Sequence, residues 1–223
     1  MHGERLHGEE RAVVIGVATE PGLVLEGLFV PGRDAAAGGA VVAAPHPLYG
    51  GSMDSPVVNE LAHAFARAGR ASLRFNWRGV GASSGTASGR AADADADTAA
   101  ALAELAASVA GPLAAVGYSF GAAAALRVGA RSERVTRLLL VAPPPSLLDL
   151  ESLAGFAGHT LLVAAEGDSI APADELEALV TRAPRVRLVR IEEADHFFQS
   201  GLAALARAVA EWIGRPVPGE PAA

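Results

Sequence analysis

Apolar residues along this chain fall into two alternating patterns: short compact runs rich in Val and Leu, and longer Ala-rich stretches. The runs at 13–17, 23–30, 40–44, 71–75, 113–116, 135–142, 160–165 and 186–191 have the length and side-chain content of eight strands. The stretches at 57–68, 91–108, 120–129, 176–181 and 201–213 read as helices, the first of them stopped by Gly69. Glu20-Pro21-Gly22 lies between the first two runs and is a turn signal, so those two strands form a hairpin. From there on, strand and helix alternate. That alternation predicts an α/β fold, a mostly parallel sheet with helices on both faces. No repeat or linker interrupts it. We therefore expect residues 1–223 to form a single domain, with loose ends at 1–10 and 215–223.

Composition narrows this picture mostly by exclusion. With 51% hydrophobic and 19% charged residues the chain has a globular profile. Its formal charge of -7 argues against a nucleic-acid partner. There is no Cys, which removes disulfides, thiolate metal sites and a cysteine nucleophile. All 18 basic residues are Arg. Without Lys there is no P-loop lysine, no Schiff base and no Ser–Lys dyad. The most apolar stretch, 99–126, is interrupted by Glu104, Gly111, Pro112 and Gly117, so no membrane span and no membrane partner are expected. The first eleven residues mix both charges and have no hydrophobic signal core, which leads us to expect a soluble, cytoplasmic protein.

Gly117-Tyr118-Ser119-Phe120-Gly121 has the G-x-S-x-G spacing that lets a serine sit on a tight strand-to-helix turn. The spacing occurs a second time, at Gly81-Ala82-Ser83-Ser84-Gly85. Only Ser119 follows an apolar strand and opens a helix; Ser83 lies in a run of Gly, Ser and Thr and reads as a loop residue. A serine hydroxyl needs a general base. His2 and His7 fall in the N-terminal arm, His63 in mid-helix, and His159 just before a strand. That leaves His46 and His196, each just past the end of a strand, where open α/β sheets collect their ligands. His196 stands in Glu193-Ala194-Asp195-His196-Phe197-Phe198; the bland reading is a surface histidine beside an acid. The carboxylate that would orient it is Asp168, after the strand at 160–165, with Glu166 and Asp149 as runners-up. Asp195 would have to fold back on its neighbour.

The order Ser119, Asp168, His196, together with Ala44-Pro45-His46-Pro47-Leu48-Tyr49-Gly50-Gly51 and Arg74-Phe75-Asn76-Trp77-Arg78-Gly79-Val80-Gly81, resembles the α/β-hydrolase superfamily over nearly the whole chain. More narrowly it resembles the small lidless bacterial hydrolases near the dienelactone-hydrolase-like branch. The resemblance implies the α/β-hydrolase fold with its second strand antiparallel. It places the acid four residues before a proline, which matches Asp168 and Pro172, with Ala171 where Val is usual. It also implies one oxyanion donor from the Phe120 N–H and a second from the loop after the third strand. There Pro47 has no N–H, so Leu48 is the expected donor, Tyr49 the reserve, and His46 supports the loop.

The expected activity is that of a serine hydrolase on a carboxylic ester or thioester of a small molecule, with no cofactor and no metal. An amidase or peptidase with the same triad, or a non-catalytic small-molecule receptor on the same fold, is the competing reading. Gly79-Val80-Gly81 with Gly85 reads as a tight loop braced by Arg78, because no acid stands at a second strand end to complete a dinucleotide site. Asp93, Asp95 and Asp97 read as an acidic helix start and not as a calcium site. Between 142 and 160 there is room for one short helix at most, so we expect a minimal lid or none. Tyr49, Met53, Leu147 and Phe197 should line an open, shallow pocket suited to short acyl chains. The sequence leaves a homodimer open.

Overall fold

The computed structural model describes residues 8–215. Eight strands form one sheet: β1 (Arg11–Gly16), β2 (Val24–Val30), β3 (Gly39–Ala43), β4 (Ala71–Phe75), β5 (Leu113–Tyr118), β6 (Val135–Val141), β7 (His159–Ala165) and β8 (Val186–Ile191). Their order across the sheet is β1-β2-β4-β3-β5-β6-β7-β8. β2 pairs antiparallel with both neighbours, and every other pairing is parallel. The reversed strand is β2 because the turn at residues 20–22 sends it straight back along β1, through the bond from Leu23 N–H to Glu20 O.

Among the described residues six α-helices accompany the sheet: α1 (Pro56–Arg67), α2 (Ala91–Ser108), α3 (Phe120–Gly129), α4 (Leu150–Gly155), α5 (Ala173–Val180) and α6 (Leu202–Ile213). α1 packs against α6 and α2 against α3, covering the two faces of the sheet. β3, β4 and β5 are buried along their whole length. That is why β3 and β5 read as unbroken apolar runs, whereas β4 alternates with Ser72 and Arg74, which are buried too. β1 has one exposed side, as an edge strand should. β8, at the other edge, is half-buried and carries Arg187 and Arg190, which keep that edge charged. The segment between β6 and β7 holds a single 3₁₀ turn, Pro145–Leu147, and the six-residue α4. No lid is built there.

The loose ends expected at 1–10 and 215–223, with His2 and His7, lie largely outside the described residues. Of the overlap, Glu10 is held by an ion pair with Arg74.

Arg78 braces the loop after β4. Its guanidinium donates to the Asp97 carboxylate at 2.8 and 3.0 Å and to Glu20 at 2.7 Å. Its own N–H also donates to Asp97 at 3.0 Å. One side chain thus ties the loop to the β1–β2 turn and to α2. The acidic run divides its labour. Asp97 is buried on Arg78, Asp93 helps the same guanidinium, and Asp95 pairs with Arg127 and Arg131. Ser83 is buried in this loop. Its hydroxyl donates to Asn76 O and accepts from Glu26 N–H, so it holds the loop to β2 and is not free to react.

Candidate active site

Ser119 stands between β5 and α3 at φ 54°, a left-handed conformation that a non-glycine residue rarely adopts. The two flanking glycines make this turn possible. A Cβ on Gly117 would lie 2.2 Å from Gly121 O, and one on Gly121 would lie 2.4 Å from Ala43 O and Ala44 O. Only with both bare can α3 start so close to the ends of β3 and β5. At the first position of α3, the Phe120 N–H has no carbonyl within the helix to bond.

The Ser119 Oγ lies 3.0 Å from His196 Nε2, and His196 Nδ1 lies 2.6 Å from Asp168 Oδ2. All three residues are buried. Ile170 N–H and Ala171 N–H donate to the other Asp168 oxygen, at 2.8 and 2.7 Å. Burial pushes the Asp168 carboxyl up. The bonds from His196 and from the two amides outweigh it, and the net result lies below the ordinary carboxylate range. An ionised carboxylate can only accept, so Nδ1 carries the imidazole proton and Nε2 is left to accept from the serine hydroxyl. This is the arrangement that lets a serine lose its proton as it attacks.

The other acids are engaged elsewhere. Glu166 is exposed and faces Arg190 at 3.8 Å, Asp149 caps α4 through Ser152, and Asp195 accepts from Phe197 and Gln199 N–H within its own turn.

The loop after β3 departs from expectation in two residues. Pro47–Tyr49 forms a 3₁₀ turn capped by His46, whose Nδ1 accepts the Leu48 N–H at 3.2 Å. The Tyr49 N–H donates to His46 O at 3.1 Å. Both amides read as oxyanion donors are therefore spent inside the turn, and a contact from Leu48 to an oxyanion would require the His46 bond to be given up. Met53, expected in the pocket, is only 3% exposed and belongs to the core, because its N–H is bound by Asn76 Oδ1 and the loop turns its side chain inward. His46 supports the loop, with its ring 4.7 Å from Tyr49 and 4.6 Å from Phe120.

A cavity of about 730 Å³ opens above Ser119, and Tyr49, Leu147 and Phe197 are among its walls. Tyr118 and Ile170 are among the lining residues that the sequence did not assign to the pocket. The Tyr118 hydroxyl donates to the backbone carbonyl of His196 at 2.7 Å. Burial, with Asp168 and Asp195 nearby, pushes its phenol upward, so it stays a donor. Its signal was a hydroxylated side chain inside the G-x-S-x-G motif. Ile170 had one too, as an apolar residue beside the acid on a loop. Among the described residues no cluster of His, Asp and Glu has metal-binding geometry, and no helix is long and apolar enough to cross a membrane.

A family model for the alpha/beta hydrolase fold matches residues 46–159. The solved structure of an alpha-beta serine hydrolase homologue from Coxiella burnetii is 28% identical and superimposes with a TM-score of 0.81, covering 90% of this chain and 96% of that one. A Xanthomonas campestris protein, described as an a/b serine hydrolase without lid, is also 28% identical. It has a TM-score of 0.82 and covers 96% of this chain and 97% of its own. An uncharacterised protein of Rickettsia prowazekii is 28% identical over 199 residues, 85% of this chain and 84% of that protein.

Proposed function

Because this chain belongs to the alpha/beta hydrolase fold family, we propose that it is a serine hydrolase cleaving a carboxylic ester or thioester of a small molecule. The observation that carries the reading is the continuous hydrogen-bonded line from Ser119 Oγ through His196 to Asp168, at 3.0 and 2.6 Å. Ser119 Oγ attacks the carbonyl carbon while its proton passes to His196 Nε2. The carbonyl oxygen gains the negative charge and is met by the Phe120 N–H, where the start of α3 also favours an anion. Collapse of the tetrahedral intermediate breaks the bond to the leaving oxygen or sulfur, which takes the proton from Nε2. Water repeats the sequence on the acyl-enzyme, transferring its proton to Nε2 and releasing the acid and Ser119. Asp168 keeps the imidazole in the tautomer that can accept, and stabilises the imidazolium between the two steps.

A fluorophosphonate probe tests this directly. Wild type should be labelled covalently and should hydrolyse p-nitrophenyl esters. Ser119→Ala and His196→Ala should lose labelling and about four to six orders of magnitude in kcat while keeping their fold. Labelling that survives in Ser119→Ala but disappears in Ser83→Ala would overturn the assignment.

A further inference from the structure

Six large apolar side chains are exposed among the described residues, and four of them, Tyr49, Leu147, Ile170 and Phe197, line the cavity above Ser119. The other two are Leu48, on the neighbouring 3₁₀ turn, and Val14, on edge strand β1. Tyr49 is 87% and Phe197 61% exposed, and Leu147 and Ile170 about half. Scattered apolar residues on a surface mean little, but a concentration at the mouth of one cavity marks a place where an apolar ligand sits. The cavity's volume, about 730 Å³, is within the usual range for small-molecule sites.

The charges point the same way. No Arg, Asp or Glu is among the described residues that line the cavity. Burial lowers the pKa of His46, keeping that ring neutral, and its Nδ1 is already occupied by the Leu48 N–H. The Tyr118 hydroxyl is occupied by His196 O. A carboxylate carried into this space would leave water with no countercharge to meet it.

We propose that the cavity selects esters whose acyl group is uncharged, apolar and of medium length, and rejects acyl groups that carry a free carboxylate. The inference rests on the serine-hydrolase reading and names the substrate class of the same site. The walls of Tyr49, Leu147, Ile170 and Phe197 gain contact with each added methylene until the chain passes the rim. With no lid to cover it beyond that point, further carbons stay in water.

The test compares kcat/KM for p-nitrophenyl acetate, butanoate, octanoate and palmitate, and for the p-nitrophenyl ester of an eight-carbon diacid whose far end is either free or capped as the methyl ester. We expect a rise of roughly fourfold per methylene from acetate toward octanoate, and no further rise to palmitate. The free acid should be turned over at least about a hundredfold more slowly than its capped form. Leu147→Arg, at a half-exposed position, should narrow that gap about tenfold by supplying a countercharge. A flat series from acetate to octanoate, a continued rise to palmitate, or equal turnover of free and capped diacid esters would each overturn the proposal. Any of these with Ser119 still labelled by fluorophosphonate leaves the hydrolase reading standing; no turnover and no labelling removes both.

Discussion

At the scale of single residues the site depends on groups outside the line from Ser119 to Asp168. The Tyr118 hydroxyl holds the carbonyl of His196, and its ring lies 5.6 Å from the imidazole. Removing that hydroxyl loosens the loop that carries His196 while leaving the Tyr118 ring in the cavity wall. Tyr118→Phe should therefore lower kcat about five- to fiftyfold at nearly constant KM. A purely structural role would instead lower Tm and leave the kcat of the folded fraction unchanged. Asp168 makes a second prediction, about acid. Its pKa is depressed in the fold, below an unfolded value of about 3.9. Its ionised form thus adds stability that is complete above the unfolded pKa and is lost as pH falls through the folded one. Thermal unfolding followed from about pH 6 to about pH 2 should show Tm falling more steeply below about pH 4 for wild type than for Asp168→Asn. Parallel slopes would mean that the carboxylate is not held in the fold as described.

At the scale of elements, the bond between Arg78 and Asp97 fastens α2 to the loop after β4, and Asp97 is almost fully buried. Asp97→Ala would leave the guanidinium buried without its main partner, at a cost of about 3–5 kcal/mol. Urea unfolding should show this as a lower midpoint, with activity per folded molecule retained. The elements themselves were largely legible, since a parallel sheet buried on both faces writes its strands as apolar runs. The misses have physical causes. β5 continues two residues past 116, because Gly117 and Tyr118 carry no apolar signal yet still pair with Leu140 and Val141. α5 begins at Ala173, ahead of the apolar pattern at Leu176, on the strength of Pro172 and an acidic first turn. In the candidate site, Ser119, Asp168 and His196 could be picked out because each has few chemical substitutes at a strand end, and the structure brings them within hydrogen-bond reach. Leu48 and Met53 could not, because the direction of an amide or a side chain in a short turn depends on bonds, from Leu48 N–H to His46 and from Met53 N–H to Asn76, that spacing does not encode.

At the scale of the molecule, the connection between β6 and β7 contributes only a 3₁₀ turn and α4, so no element among the described residues has to swing aside to open the site. Raising a short-chain ester through its solubility limit should leave the rate on a single saturation curve. A jump where droplets form would point to a covering element that the fold does not contain. The same architecture draws the site from distant stretches of chain: His196 meets Ser119 across 77 residues and Asp168 across 28. Parallel pairing of this kind closes long loops before contacts reward it, which makes folding slow and the finished assembly cooperative. Half a sheet therefore does not assemble the candidate site. On the ribosome, where the chain emerges from its N-terminus, Ser119 arrives well before His196, which follows β8, so the proposed chemistry waits until every strand of the sheet has been made.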